Sequence, residues 1–224
     1  MENSNNTILS VQKANALKGI LAMCVLASHV YGYGIFHFES SIINFLFGSL
    51  MGYLPVSLFF FLSGYGLESS YEKKGKNYIV TFLLIKILPF YVIYIILLGI
   101  YLLVHLIVDE HISLISIIKS LTYGGTLITF GWFLQTILVL YVIFWLSYLS
   151  DIKLIYKIHL LTISHLLFCF ISYAFEFPTT WYATSVCFLI GIYWKYYEKQ
   201  IIEKINNRII MIICCVGGQE VLFL

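Results

Sequence analysis

Charge is what this sequence has least of. Lysine and arginine number 13 and aspartate and glutamate 11, so charged residues are 11% of the 224-residue chain, against about 25% in an ordinary soluble domain. That is too little polar surface to cover a water-soluble body of this size. The 61% of hydrophobic residues and the mean hydropathy of +0.93 exceed what one core can absorb. A soluble enzyme and a disordered chain are both excluded. The net charge of only +2 supplies no bulk attraction to nucleic acid, and none is expected as a partner. Cysteine patterning is missing too. Cys24, Cys169, Cys187, Cys214 and Cys215 all sit in apolar runs without CxxC or His-paired spacing, which leaves neither a disulfide framework nor a metal site to expect. The polar stretch Met1 to Ser10 lacks the short apolar segment and cleavage site of a removable signal peptide.

What the chain does have is long apolar runs. Seven can be placed: Ala16 to Phe36, Ile42 to Leu67, Ile79 to Val108, Thr126 to Leu149, Leu154 to Phe175, Thr179 to Tyr197, and one from Ile209 into the C-terminus. Each has roughly the ~20 residues a helix needs to cross a bilayer. They do not alternate as barrel strands do. The expected fold is an all-α polytopic membrane bundle of about seven transmembrane helices, with residues 1–15 as a cytoplasmic N-terminal segment and 16–224 as the membrane domain. The third run is long enough to start at the interface before Pro89. Ile112 to Leu121 is too short to cross; Ser113, Ser116, Lys119 and Ser120 recur among isoleucines and leucines at helical spacing, which predicts an amphipathic helix lying on the outer surface.

Orientation follows from the basic residues. With the N-terminus inside, 12 of the 13 lysines and arginines fall on the inner side and Lys119 alone outside. Glu39, Asp109, Glu110 and Glu176 then lie outside. Trp132 and Trp181 fall near outer ends and Trp145 and Trp194 near inner ends, as interfacial belts require. After Val216 the last run meets Gly217, Gly218, Gln219 and Glu220, an unusual end for a span, and the chain is expected to be cut short there.

Four elements could carry chemistry. Lys18 and His29 are 11 positions apart in the first run. At about 100° per residue this returns them to one helix face, about 16 Å apart along the axis, with Lys18 at the cytoplasmic mouth and His29 inside the membrane. An intramembrane histidine is either an ionisable functional group or a neutral hydrogen-bonding side chain between helices. Val56 to Leu67 closes the second run, where Gly64 and Gly66 can end a helix or admit a close backbone neighbour, and Ser63 adds a hydroxyl. Lys86, ahead of Pro89, can face an anion or snorkel to lipid headgroups. Gly131-Trp132-Phe133-Leu134 can line a site or merely anchor the interface. His105, His159 and His165 lie in unpatterned runs and read as packing. Before the last run, no acidic residue falls inside a run as drawn, so no charged partner for His29 is visible.

In order and spacing these elements resemble the membrane-bound acyltransferase 3 family. Lys18, Gly19 and His29 match its basic-Gly…His pattern, Phe60, Phe61, Ser63 and Gly64 its Phe-Phe-x-x-Ser-Gly signature, and Lys86 and Pro89 its basic-x-x-Pro element. Trp132 to Leu134 match its Trp-Phe-Leu element, and Phe188 with Gly191 its Phe-x-x-Gly span. The match runs from about residue 16 to 195. The family usually has arginine where this chain has Lys18, which keeps the charge and loses the bidentate fork. Its fold has more spans than the seven placed here, so the last are expected to be absent.

The resemblance implies an O-acyltransferase that moves an acetyl or other acyl group from cytoplasmic acyl-CoA to a hydroxyl of a cell-envelope glycan or related carbohydrate. It implies His29 as general base, with Lys18, Ser63, Gly64, Lys86 and Trp132 holding donor or substrate. No bound cofactor is implied beyond the acyl-CoA donor itself, and the expected surroundings are lipid of the plasma membrane. A transporter or flippase of an envelope precursor also explains the spans and histidines, but not the ordered motifs. An inactive remnant of an acyltransferase is the third reading.

Overall fold

The computed structural model describes residues 9–34, 40–108, 112–122, 127–128 and 131–217, without side chains for Ser49 and 206–217. The end of the first run at Phe36, the acidic residues Glu39, Asp109 and Glu110, the start of the fourth run at Thr126, and Gly218 onward lie outside it. Among the described residues there are helices and no strand. In chain order they are α1 (Val11–Gly32), α2 (Ser41–Phe45), α3 (Met51–Lys74), α4 (Lys76–Phe82), α5 (Leu88–Ile107), α6 (Leu114–Leu121), α7 (Trp132–Leu149), α8 (Leu154–Ala174), α9 (Thr179–Ala183) and α10 (Val186–Gly217). This is the arrangement hydrocarbon demands, since only a helix or a closed barrel satisfies every backbone N–H and C=O without water. Among the described residues five stretches are long and apolar enough to cross a membrane: Val11–Gly32, Ser41–Lys74, Lys76–Ile107, Trp132–Leu149 and Leu154–Ala174. On α5 the exposed Ile93, Ile96, Ile100, Leu103 and Ile107 form a stripe that water could not tolerate and lipid can.

Local chemistry sets the ends. Ser10 caps α1, its hydroxyl accepting from the Lys13 N–H at 3.3 Å. Ser113 caps the predicted amphipathic helix, accepting from Ser116 N–H at 3.1 Å, and Leu114, Ile115 and Ile118 stay exposed on its outer face. Two long helices contain a proline, and each widens into a π turn within five residues before it, at Leu46–Leu50 before Pro55 and at Leu83–Ile87 before Pro89. Before Pro89 the looser turn includes Ile85, whose carbonyl, four residues back, the proline ring crowds.

Two sequence expectations need correction. Of the two readings of Gly64 and Gly66, the helix end does not apply: α3 continues to Lys74 and is capped by Gly75, whose φ of 60° is the left-handed value, while the close backbone approach is found at Gly64. The sixth and seventh runs are not separated by a loop either. Thr179–Ala183 is a short helix of its own, and Val186–Gly217 then continues unbroken past Tyr197, because the polar segment between them, Glu198 to Arg208, contains no proline or glycine.

The tightest contact is between α3 and α10. A Cβ on Gly64 would stand 2.1 Å from the Phe188 carbonyl oxygen, and one on Gly191 2.1 Å from the Phe61 carbonyl oxygen. The two helices therefore touch backbone to backbone, the association mode open to apolar helices in lipid. Around this crossing Phe60, Phe82, Phe144, Tyr148, Leu161 and Phe188 make the core shared by α3, α4, α7, α8 and α10. Gly64→Ala or Gly191→Ala is expected to cost about 1–3 kcal/mol by overpacking, read as a lower Tm in detergent. Gly99→Ala, where a Cβ meets nothing within 4 Å, should leave Tm unchanged or raised; equal behaviour of all three would remove the crossing from the account.

Candidate functional site

Two cavities lie along the groove between α1 and α3. One, of about 350 Å³, is at the lysine-rich end of the bundle and is lined by Lys18, Ser63, Lys73, Lys74, Tyr78 and Lys86 among others. The second, of about 480 Å³, lies toward the opposite end and holds His29, Tyr53, Phe59, Trp132, Phe133 and Thr180. Among the described residues none lines both. They nevertheless share one track. On α1 the lining residues Val11, Ala14, Lys18, Ala22, Val25 and His29 recur every three or four positions, and on α3 so do Gly52, Val56, Phe59, Ser63, Gly66 and Ser70. A helix presents such positions as one continuous face.

The structure thus brings Lys18, Ser63 and Lys86 into one cavity and His29 and Trp132 into the other. Lys18 and His29 share a face of α1, as the 11-residue spacing requires. Gly64 is in neither cavity; it faces Phe188 on α10.

The lysine-lined cavity has four cations on its wall and, among the described lining residues, no carboxylate. Lys18 and Lys74 both repel the charge of Lys86. A polyanion placed among them relieves that repulsion and gains charge-assisted hydrogen bonds. Two neutral groups add to the wall. The Tyr78 hydroxyl is buried beside Ser70 and makes no hydrogen bond of normal geometry, and Ser63 lies against the Tyr141 hydroxyl. The His29 cavity is of a different character: aromatic rings with a few polar tips, the lining that suits a neutral molecule with an apolar face and hydroxyls.

Sequence reasoning missed the carboxylates behind the lysine-lined cavity. Tyr65, on its wall, donates from its hydroxyl to Glu198 at 2.7 Å. Lys195 bridges Glu198 at 2.7 Å and Glu72 at 2.9 Å. Tyr148 donates to Glu68 at 2.6 Å, and Lys157 donates to the Tyr71 hydroxyl at 2.9 Å. Glu68, Glu198, Lys157 and Lys195 are all buried. Glu68 and Glu198 each fall one residue past a run drawn from hydropathy. The readable signal was spacing: Glu68 and Glu72 sit four apart, Lys195 and Glu198 three apart.

A serine–histidine contact lies outside both cavities. His165 Nε2 is 3.0 Å from Ser185 Oγ, but the serine hydroxyl donates to the Tyr182 carbonyl at 2.6 Å. Its single proton is spent there, so the imidazole donates to the serine and cannot act as its base. Both side chains are buried, and the pair fastens α8 to the start of α10.

The ion network makes a stability prediction. Lys195→Met leaves the Glu198 carboxylate buried without its cation and should cost about 3–5 kcal/mol. Adding Glu198→Met removes the orphan charge and should recover most of the loss. Thermal unfolding in detergent checks this; equal Tm values for the single and double variants would contradict it.

A family model described as an acyltransferase domain matches residues 11–218. No curated protein and no solved structure matches the chain. The matched span takes in both cavities, the α1 face from Lys18 to His29 and the α3–α10 crossing, and the chain belongs to the acyltransferase 3 family.

Proposed function

We propose that this membrane acyltransferase takes an acyl group, acetyl in the simplest case, from cytoplasmic acyl-CoA and transfers it to a hydroxyl of a cell-envelope glycan or related carbohydrate. In this reading the chain is an integral protein of the plasma membrane with its N-terminus in the cytoplasm. The observation that carries the reading is the single α1 face with a cation, Lys18, at one end and a histidine, His29, at the other. CoA phosphates are met by Lys18 and Lys86, and by Lys73 and Lys74, which line the same wall. The thioester then extends along the track toward His29.

The reaction needs one base and one set of donors. The acceptor oxygen adds to the thioester carbon while its proton passes to His29. Charge develops on the carbonyl oxygen and calls for a hydrogen-bond donor beside it, such as a nearby backbone N–H; Ser63 shares the lysine-lined cavity with Lys18 and would meet the donor there instead. Collapse breaks the carbon–sulfur bond. The CoA sulfur takes the proton back from the histidine and leaves as the thiol, and the acceptor leaves as its ester. The rings of Tyr53 and Trp132 in the His29 cavity offer apolar faces to a sugar ring.

Transfer of labelled acetyl from acetyl-CoA into membrane glycan tests the proposal. His29→Gln keeps a hydrogen-bonding side chain but cannot carry the proton, and should lower kcat by about 10²–10⁴-fold. Lys18→Ala should raise KM for acetyl-CoA by roughly 5–30-fold, the equivalent of the ~1–2 kcal/mol of a hydrogen bond to a charged group, and Lys18→Arg should restore it. Full activity in His29→Gln would reduce the histidine to a structural role. An unchanged KM in Lys18→Ala would detach the lysine-lined cavity from the donor.

A further inference from the structure

Ser63 departs from the habit of other hydroxyls on these helices. Ser57, Ser70, Ser147 and Thr162 each donate to the carbonyl four residues back, which satisfies a helical hydroxyl without water. Among the described residues Ser63 makes no such bond, and its hydroxyl lies against that of Tyr141. Both residues line the lysine-lined cavity. Two adjoining hydroxyls carry two protons and spend at most one on each other, so one stays uncommitted at the wall. Tyr141 comes from α7. Its ring is backed by Phe82 and Phe90, each at 6.0 Å between centroids, which fixes where the hydroxyl stands.

The depth of this pair matches one point on an acyl-CoA. A Cβ on Gly52 would stand 3.1 Å from the Ser28 hydroxyl, so that position of α3 is level with His29 on α1. Ser63 is 11 residues further along α3, about 16 Å, at the depth of Lys18. In the donor, the outer amide carbonyl of the pantetheine arm is roughly 11 Å from the thioester carbon, and the nearer phosphate roughly 16 Å, at the ~3.5 Å per three bonds of an extended chain. The acceptor oxygen between imidazole and thioester carbon adds about 4 Å. With the thioester at His29, the outer amide therefore arrives at the Ser63 level, and the phosphates lie beyond it toward the lysines at the mouth.

We propose that Ser63 and Tyr141 form a hydroxyl clamp on the outer amide carbonyl of the donor's pantetheine arm and thereby set how deep the thioester lies. The inference rests on the acyl-transfer reading and assigns Tyr141, on a helix that carries none of the lysines, a positioning role in it.

Equilibrium binding to the full chain in detergent tests this with two probes. CoA carries the arm; adenosine 3′,5′-bisphosphate carries phosphates and nucleoside without it. Tyr141→Phe and Ser63→Ala should each weaken CoA about three- to tenfold, the worth of one neutral hydrogen bond, and leave the bisphosphate unchanged. The double variant should lose less than the product of the two, because both hydroxyls serve one oxygen. The KM for acetyl-CoA should rise in parallel. A wild type that binds CoA no better than the bisphosphate, single variants that bind CoA as the wild type does, or variants that lose both probes equally would each overturn the clamp while leaving the donor site standing. A wild type that binds neither probe overturns the acyl-CoA reading, and the clamp with it.

Discussion

Everything at the site depends on the backbone contact between α3 and α10. In lipid there is no hydrophobic force to hold two apolar helices together, so the association has to come from close packing and polar contacts. Gly64 and Gly191 supply the first. Lys195, reaching back to Glu72, and Tyr65, reaching Glu198, supply the second. Both sets lie on one side of α3. The other side is left for α1 and the two cavities. A helix pinned in this way can present a continuous lining without being filled in by its neighbour.

The same division explains how a positive cavity survives beside three glutamates. Glu68, Glu72 and Glu198 are within a few turns of Lys18, Lys73, Lys74 and Lys86, and a carboxylate swinging into the cavity would quench its field. Each acid is instead held elsewhere, Glu68 by Tyr148, Glu72 by Lys195, and Glu198 by Lys195 and Tyr65. Asp151, in the loop after α7, is bound to Lys76, which holds its carboxyl below the usual carboxylate range. That exposed pair is worth little as stability, but it removes one more acid from the vicinity. The buried ion pairs are thus better understood as a way of reserving cations for the cavity than as a source of stability.

The parts of this arrangement that were legible in the sequence are those that depend on one helix at a time. Hydropathy and charge asymmetry report on a segment and its ends, and the spacing of Lys18 and His29 is a property of α1 alone. Ser113 and the isoleucine pattern after it likewise announce α6 without help from the rest of the chain. What was not legible depends on pairs of helices. Gly64 reads in the sequence as either a helix end or a point of close backbone approach, and only Phe188 opposite shows that the second applies. The acidic residues escaped because hydropathy drew the runs to end at Leu67 and Tyr197, one residue short of the buried Glu68 and Glu198. The unbroken helix across the sixth and seventh runs was hidden by its polar middle, which marks the emergence of a helix into water as readily as a loop.

The separation of the two cavities has a chemical logic of its own. A thioester is open to attack by water, and a site lined by four lysines at the mouth of the bundle is a wet one. A general base placed there would activate water as readily as a sugar hydroxyl. If His29 is the base and the lysines hold the donor, setting His29 about 16 Å deeper on the same face, among aromatic rings, keeps the base in a drier space than those charges. The α1 helix meets both requirements with a single repeat, since a face that returns every three or four residues can carry a cation at one depth and an imidazole at another.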